Sequence, residues 1–253
     1  MEPKDILNAL RDIEEQDDIN ILFACESGSR AWGFDSPDSD YDVRFVYMRT
    51  LADYLSLKDV SDTKEYRLSD DLDIVGWDLR KFLRLLRKSN PSTMEWMGSP
   101  VVYSMDTRFQ RVRDLRECCF DPASCAWHYY GMAKKHDTRY LDGEMVSAKK
   151  YLYIVRAILS AEWCIREQSP APILFSELLG TVTDENLRKT IELLVKTKQS
   201  SAELALVSHD EALDEWIFDE LDRLKAEIGK MDHIKPLNWL DLDSVFLGVL
   251  GFL

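Results

Sequence analysis

Residues 39–49, SDYDVRFVYMR, read as a strand, with polar and apolar side chains alternating over 40–45. Successive residues of a β-strand point to opposite faces, so Tyr41, Val43, Phe45 and Tyr47 share one face and Asp40, Asp42, Arg44 and Val46 the other. A strand like this must bury its aromatic face in a sheet, and doing so turns two carboxylates to the opposite side. The neighbouring stretches supply that sheet. INILFACE (19–26) is a short apolar run ending in Ser-Gly-Ser, the pattern of a buried strand feeding a short helix. KEYRL (64–68) and DLDIVGW (71–77) read as two further strands, turning at Ser69 and Asp70. Ile6, Leu7, Leu10 and Ile13 recur at helical spacing, predicting an amphipathic helix over 3–16 that lies against the strands. Asp78 is placed to cap a helix, LRKFLRLLRKS, whose Leu79, Phe82, Leu83 and Leu86 form an inward stripe. Pro91 starts a short helix through Trp96, and SPVVY adds an edge strand.

From residue 106 the pattern changes. Helical periodicity dominates at 107–119, 122–136, 144–168, 184–199 and 210–231, and strand signals almost vanish. The expected fold class is therefore α+β, with a small mixed-sheet domain over 1–105 followed by an all-helical domain over 106–253. A formal charge of −14 argues against a broad electrostatic grip on nucleic acid, leaving room only for a local basic groove. Five cysteines form no C-x-x-C pair and no disulfide framework, and they read as reduced thiols of a cytoplasm. The acidic opening does not look like a signal peptide, and no apolar run is long enough to cross a bilayer.

Two carboxylates two residues apart on one strand face can share or flank divalent ions. Mg²⁺ is the expected guest, since hard oxygen ligands suit it and it completes its shell with substrate phosphates; Mn²⁺ is an acceptable substitute. Gly28 and Ser29 sit between a strand and a short helix, where backbone can approach a ligand and free N–H groups face an anion. Arg30 could touch the same phosphates or pair with the nearby acids. Arg44 could pair with the carboxylates on its own face or with a ligand. Asp38, Asp40 and Asp42 also imitate the start of an EF-hand. The sixth position is Val43 rather than Gly and the twelfth is Arg49 rather than Glu, which rejects such a loop. Lys149, Tyr153 and Arg156 recur at four and three residues along a helix, a stripe that could close over phosphates and base.

ESGSRAWGFDSPDSDYDVRFVY resembles the DNA polymerase beta-like nucleotidyltransferase superfamily. More narrowly, GSRAWGFDSPDSDYDVRFVY, DLDIVGWDLRKFLRLLRKSNPSTMEW and KKYLYIVRAIL look like predicted nucleotidyltransferases associated with RNA-ligase repair pathways. The resemblance implies an Mg²⁺-dependent transfer of a nucleoside monophosphate from a nucleoside triphosphate to a hydroxyl acceptor. In it Gly28 and Ser29 hold the triphosphate, and Asp40 and Asp42 bind two metal ions. Asp73 is the best match to the third carboxylate, as metal ligand or base, and Asp71 is the runner-up. It leaves the acceptor open among an RNA end, a small molecule and a protein hydroxyl. A contrasting reading is a non-catalytic nucleotide-binding or toxin-antitoxin-type partner protein with the same fold.

Overall fold

The computed structural model describes residues 2–69, 71–140, 145–200 and 206–252, with the side chains of 136–140 left aside. Helix α1 (Pro3–Asp17) starts on a proline at its first turn, and the Asp5 carboxylate accepts the Glu2 N–H at 3.0 Å. Strand β1 (Ile19–Ser27), the one-and-a-half-turn helix α2 (Gly28–Trp32) and strand β2 (Tyr41–Arg49) follow. After the short α3 (Leu51–Tyr54) come the hairpin β3 (Thr63–Ser69) and β4 (Leu72–Asp78), helices α4 (Leu79–Leu86) and α5 (Pro91–Gly98), and strand β5 (Val102–Met105). These strands form one sheet in the order β3-β4-β2-β1-β5, in which β2 and β4 run parallel and the other neighbours antiparallel.

Strand β2 buries the face its alternation predicts. Val43, Phe45 and Tyr47 pack with Ile6, Leu10 and Ile13 of α1, each of those three contributing about 1.5–3 kcal/mol by burial. Gly76 lies so close to Phe45 that a Cβ there would overlap the ring, which sets how tightly β4 approaches β2. Asp78 caps α4 by accepting the Arg80 N–H at 2.8 Å, as expected, and also pairs in the interior with Arg49 at 2.9 Å.

Beyond β5 the chain is mostly helical: α6 (Gln110–Arg113), α7 (Pro122–Tyr140), α8 (Ala148–Glu167), α9 (Phe175–Leu179), α10 (Glu185–Ser200), α11 (Glu211–Ile228) and α12 (Trp239–Val249). Three features differ from the sequence expectation. The helix over 107–119 is broken: a 3-10 turn and α6 are followed by tighter i→i−3 bonds from Leu115 and Arg116 to Val112 and Arg113. A two-stranded ladder, β6 (Met145–Ser147) with β7 (Leu206–Ser208), stands in the helical half, pairing Val146 with Val207. Helices α9 and α12 were not expected. One buried cluster joins Phe23, Val46 and Leu83 of the first half to Tyr151, Ile154 and Ile217 of the second, across the 105/106 boundary. Among the described residues no helix is long and apolar enough to cross a membrane.

Candidate active site

The turn after β1 begins with Gly28 at φ +62°, a left-handed conformation that glycine adopts without strain. A Cβ at this position would overlap the Asp42 carboxylate, so residue 28 must be small for that side chain to lie where it does. Helix α2 is too short to be stable by itself, and tertiary packing holds it. Trp32 packs edge-on against Tyr153 of α8 at 5.0 Å between ring centres, and the Arg156 guanidinium lies 4.0 Å from the Trp32 ring centre.

The carboxylates converge from two strands. Asp42 on β2 is the register partner of Asp73 on β4, so both project from the same sheet face. Arg44 Nη2 lies 2.8 Å from Asp42 Oδ1 and 2.9 Å from Asp73 Oδ2. Its Nη1 donates to the Asp73 and Val43 carbonyls at 3.2 and 3.1 Å. Beside Asp42, Glu26 of β1 is buried; its Oε1 accepts the Asp42 N–H at 2.8 Å and its Oε2 accepts the Tyr103 hydroxyl. Burial pushes the Glu26 carboxyl above the usual carboxylate range, against the pull of the Tyr103 and Asp42 hydrogen bonds. Burial likewise raises Asp42, with Asp73 and Asp40 adding repulsion while Arg44 and Lys149 oppose it. The site thus concentrates negative charge in a partly dehydrated place.

A single nitrogen within 3 Å of both carboxylates marks the point between β2 and β4 where a cation is held. Hard oxygen donors at that point suit Mg²⁺. Among the described residues no three acidic, His or Cys groups close around one centre, and the guanidinium of Arg44 stands between Asp42 and Asp73. Asp42 and Asp73 are the oxygen donors here that could hold a divalent ion, and Arg44 fills the space between them.

Asp40 lies in the loop just before β2, with its carbonyl accepting Arg30 Nε at 3.2 Å. Its charge acts on Asp42. Asp71 is exposed at the β3–β4 turn, where its carbonyl accepts the Tyr41 N–H at 2.9 Å, leaving Asp73 as the residue facing Asp42. Ser29 is buried in α2. Arg30 is engaged with the loop: Nη2 donates to the Ser39 carbonyl at 2.7 Å, Nη1 pairs with Asp35 at 3.3 Å, and the guanidinium stacks 3.9 Å from the Tyr41 ring centre. Lys149 reaches Asp42 electrostatically, and Tyr153 packs beside it against Trp32 and Phe34. Arg156, 2% exposed, lies deeper and pairs with Glu95 at 3.0 Å, an oxygen that also accepts the Tyr129 hydroxyl. The stripe Lys149–Tyr153–Arg156 therefore runs from the site into the core rather than along its mouth. Glu26 and Glu95 have roles here that local spacing does not announce. Only Glu26, an acid closing an apolar strand, carries a signal of its own.

The family model of the RNA repair pathway DNA polymerase beta family matches residues 3–248. The chain belongs to that family. Within it stand the α+β architecture with its mixed sheet and the polymerase beta-like nucleotidyltransferase class. A Bacillus subtilis (strain 168) protein described as "Uncharacterized protein YcgL" is 39% identical over 249 residues, covering 95% of each chain. A crystal structure described as a nucleotidyltransferase-like protein from Exiguobacterium sibiricum 255-15 is similar at 12% identity and a TM-score of 0.30. The match covers 96% of this chain and 78% of that one, too distant to bear on the site.

Proposed function

We propose that the chain moves a nucleoside monophosphate from a nucleoside triphosphate to a hydroxyl acceptor, releasing pyrophosphate, with Mg²⁺ as cofactor. The observation that carries this reading is the register pairing of Asp42 with Asp73, whose carboxylates meet on one cationic atom directly beside Gly28. Asp42 and Asp73, with Asp40, would hold the metal. When bound it supplies the positive charge that the triphosphate and the departing pyrophosphate require. Gly28 and Ser29 offer the triphosphate a close backbone approach, and Lys149 adds a cation facing the same carboxylates. The acceptor oxygen bonds to the α-phosphorus as the bond from that phosphorus to the β-bridging oxygen breaks. The hydroxyl proton passes to a carboxylate, for which Asp73, 44% exposed, is accessible. Catalysis of this kind is chiefly positioning and charge stabilisation. Arg30 and Arg156 serve it indirectly, by holding the loop and the floor beneath α2.

The family's description favours an RNA end as acceptor, whereas the overall acidity suits a small molecule or a protein hydroxyl. The free cysteines, four of the five buried, fit a reducing cytoplasm. The test is transfer of labelled nucleotide to RNA, small-molecule and protein acceptors, wild type against Asp42→Asn. Transfer by the wild type and none by a folded Asp42→Asn supports the proposal. Equal transfer by both refutes the site. Triphosphate binding without transfer to any acceptor favours the non-catalytic partner reading.

A further inference from the structure

Lys198, in the last turn of α10, is fully buried although its side chain is a lysine's. Its Nζ donates to Ser36 Oγ at 2.6 Å and Ser39 Oγ at 3.1 Å. The two hydroxyls lie 3.0 Å apart, Ser39 Oγ also accepts the Ser36 N–H at 2.9 Å, and the Ser39 N–H closes the turn onto the Ser36 carbonyl at 3.0 Å. Next to Lys198, Gln199 donates to the Gly33 carbonyl at 3.4 Å. The end of α10 is therefore seated on the connection between α2 and β2. On its other side Arg30 holds the carbonyls of Ser39 and Asp40. Two basic residues, from distant parts of the chain, hold the four-residue turn Ser36–Ser39. The residue after that turn is Asp40, and Asp42 follows two later.

Taking an ammonium out of water costs several kcal/mol even after relaxation, and an apolar side chain of similar volume would fill the same space without that penalty. Simple packing of α10 on the sheet gives no reason for a lysine here. Directional bonds to both serine hydroxyls do, because they fix how the turn enters β2. At a phosphoryl-transfer site an error of about 1 Å in a carboxylate can cost on the order of a hundredfold in rate.

We propose that Lys198 is a positioning residue: it locks the Ser36–Ser39 turn from the helical half and so sets the direction in which Asp40 and Asp42 face the metal. This rests on the metal-site reading above. The test uses the full chain as Lys198→Met and, separately, as Ser36→Ala with Ser39→Ala, each titrated calorimetrically with Mn²⁺ and assayed for transfer across a range of Mg²⁺. Both variants are expected to lose about tenfold in Mn²⁺ affinity, the lower end of what removing a group that orients metal ligands costs. The Mg²⁺ requirement should rise and kcat fall, with KM for the triphosphate little changed. Combining the three substitutions should lose less than the sum of the two variants, since Lys198 and the two hydroxyls share the same hydrogen bonds. Unchanged Mn²⁺ affinity in a folded variant overturns the proposal, as do additive losses. If Lys198→Met fails to fold, the serine variant decides by the same criterion. A wild type that binds Mn²⁺ but transfers nothing overturns the proposed reaction and leaves Lys198 standing. A wild type that binds no Mn²⁺ overturns both.

Discussion

Arg44 bridges Asp42 and Asp73, so under the proposed metal-dependent reaction replacing it by Gln should move stability and metal affinity in opposite directions. Each of its two ion pairs, at 2.8 and 2.9 Å, has a gross attraction of about 5–6 kcal/mol at an effective dielectric of about 20. Arg44, Asp42 and Asp73 are 18%, 26% and 44% exposed, so desolvation, side-chain entropy and screening leave about 1 kcal/mol per pair. Without metal, Arg44→Gln therefore loses about 2 kcal/mol, a fall in Tm of about 4–8 °C for a chain of this size. The same 2 kcal/mol no longer opposes an incoming cation, so Mn²⁺ should bind about thirtyfold more tightly. Thermal unfolding with and without Mg²⁺, beside Mn²⁺ calorimetry on nucleotide-free protein, measures both. If Tm is unchanged and Mn²⁺ binds no more tightly, Arg44 does not compete for the carboxylates and the cation site lies elsewhere.

Asp42→Asn should stabilise the metal-free chain at neutral pH even as it removes turnover. The folded state raises the Asp42 pKa, so that carboxyl's contribution to stability is lost as pH rises through the folded value. The advantage of the variant, read from denaturant midpoints across pH, should vanish below the ordinary Asp pKa of about 3.9; an advantage that persists in acid contradicts the linkage. Gly28→Ala adds a methyl group at positive φ and into the Asp42 carboxylate, costing about 1–2 kcal/mol from the backbone alone, with weaker Mn²⁺ binding in calorimetry. Arg156→Ala leaves the half-buried Glu95 without its ion-pair partner and should cost about 3 kcal/mol in chemical denaturation. Lys149→Ala should stay within about 0.5 kcal/mol in the same experiment while weakening triphosphate binding, and a reversed pattern between the two would place the phosphate contact at Arg156.

What the sequence discloses and what it hides follow from the range of the forces involved. The face split of β2, the stripe of α1 and the Asp78 cap are set by neighbours within a few residues, and periodicity reports them directly. Helix α12 escaped notice because its apolar residues do not form one buried stripe: Trp239 and Leu240 are exposed while Leu242 and Val249 are covered. Strands β6 and β7 are three residues each and exist through pairing across about sixty positions, for which no local pattern prepares. That Gly28 and Asp42 lie together follows from motif spacing, and the family resemblance points to Asp73, which pairs in register with Asp42. The destination of Arg156 was not legible, since an arginine on an amphipathic helix looks the same from sequence whether it meets a ligand or a half-buried glutamate. Lys198 was invisible for the same reason.

The contacts from Lys198 to Ser36 and Ser39 span 162 and 159 positions of the chain. During synthesis the aspartates therefore leave the ribosome long before the lysine that orients them. Competence arrives late, when the end of α10 docks, and a chain cut short before that helix would carry the acidic motif without a finished site.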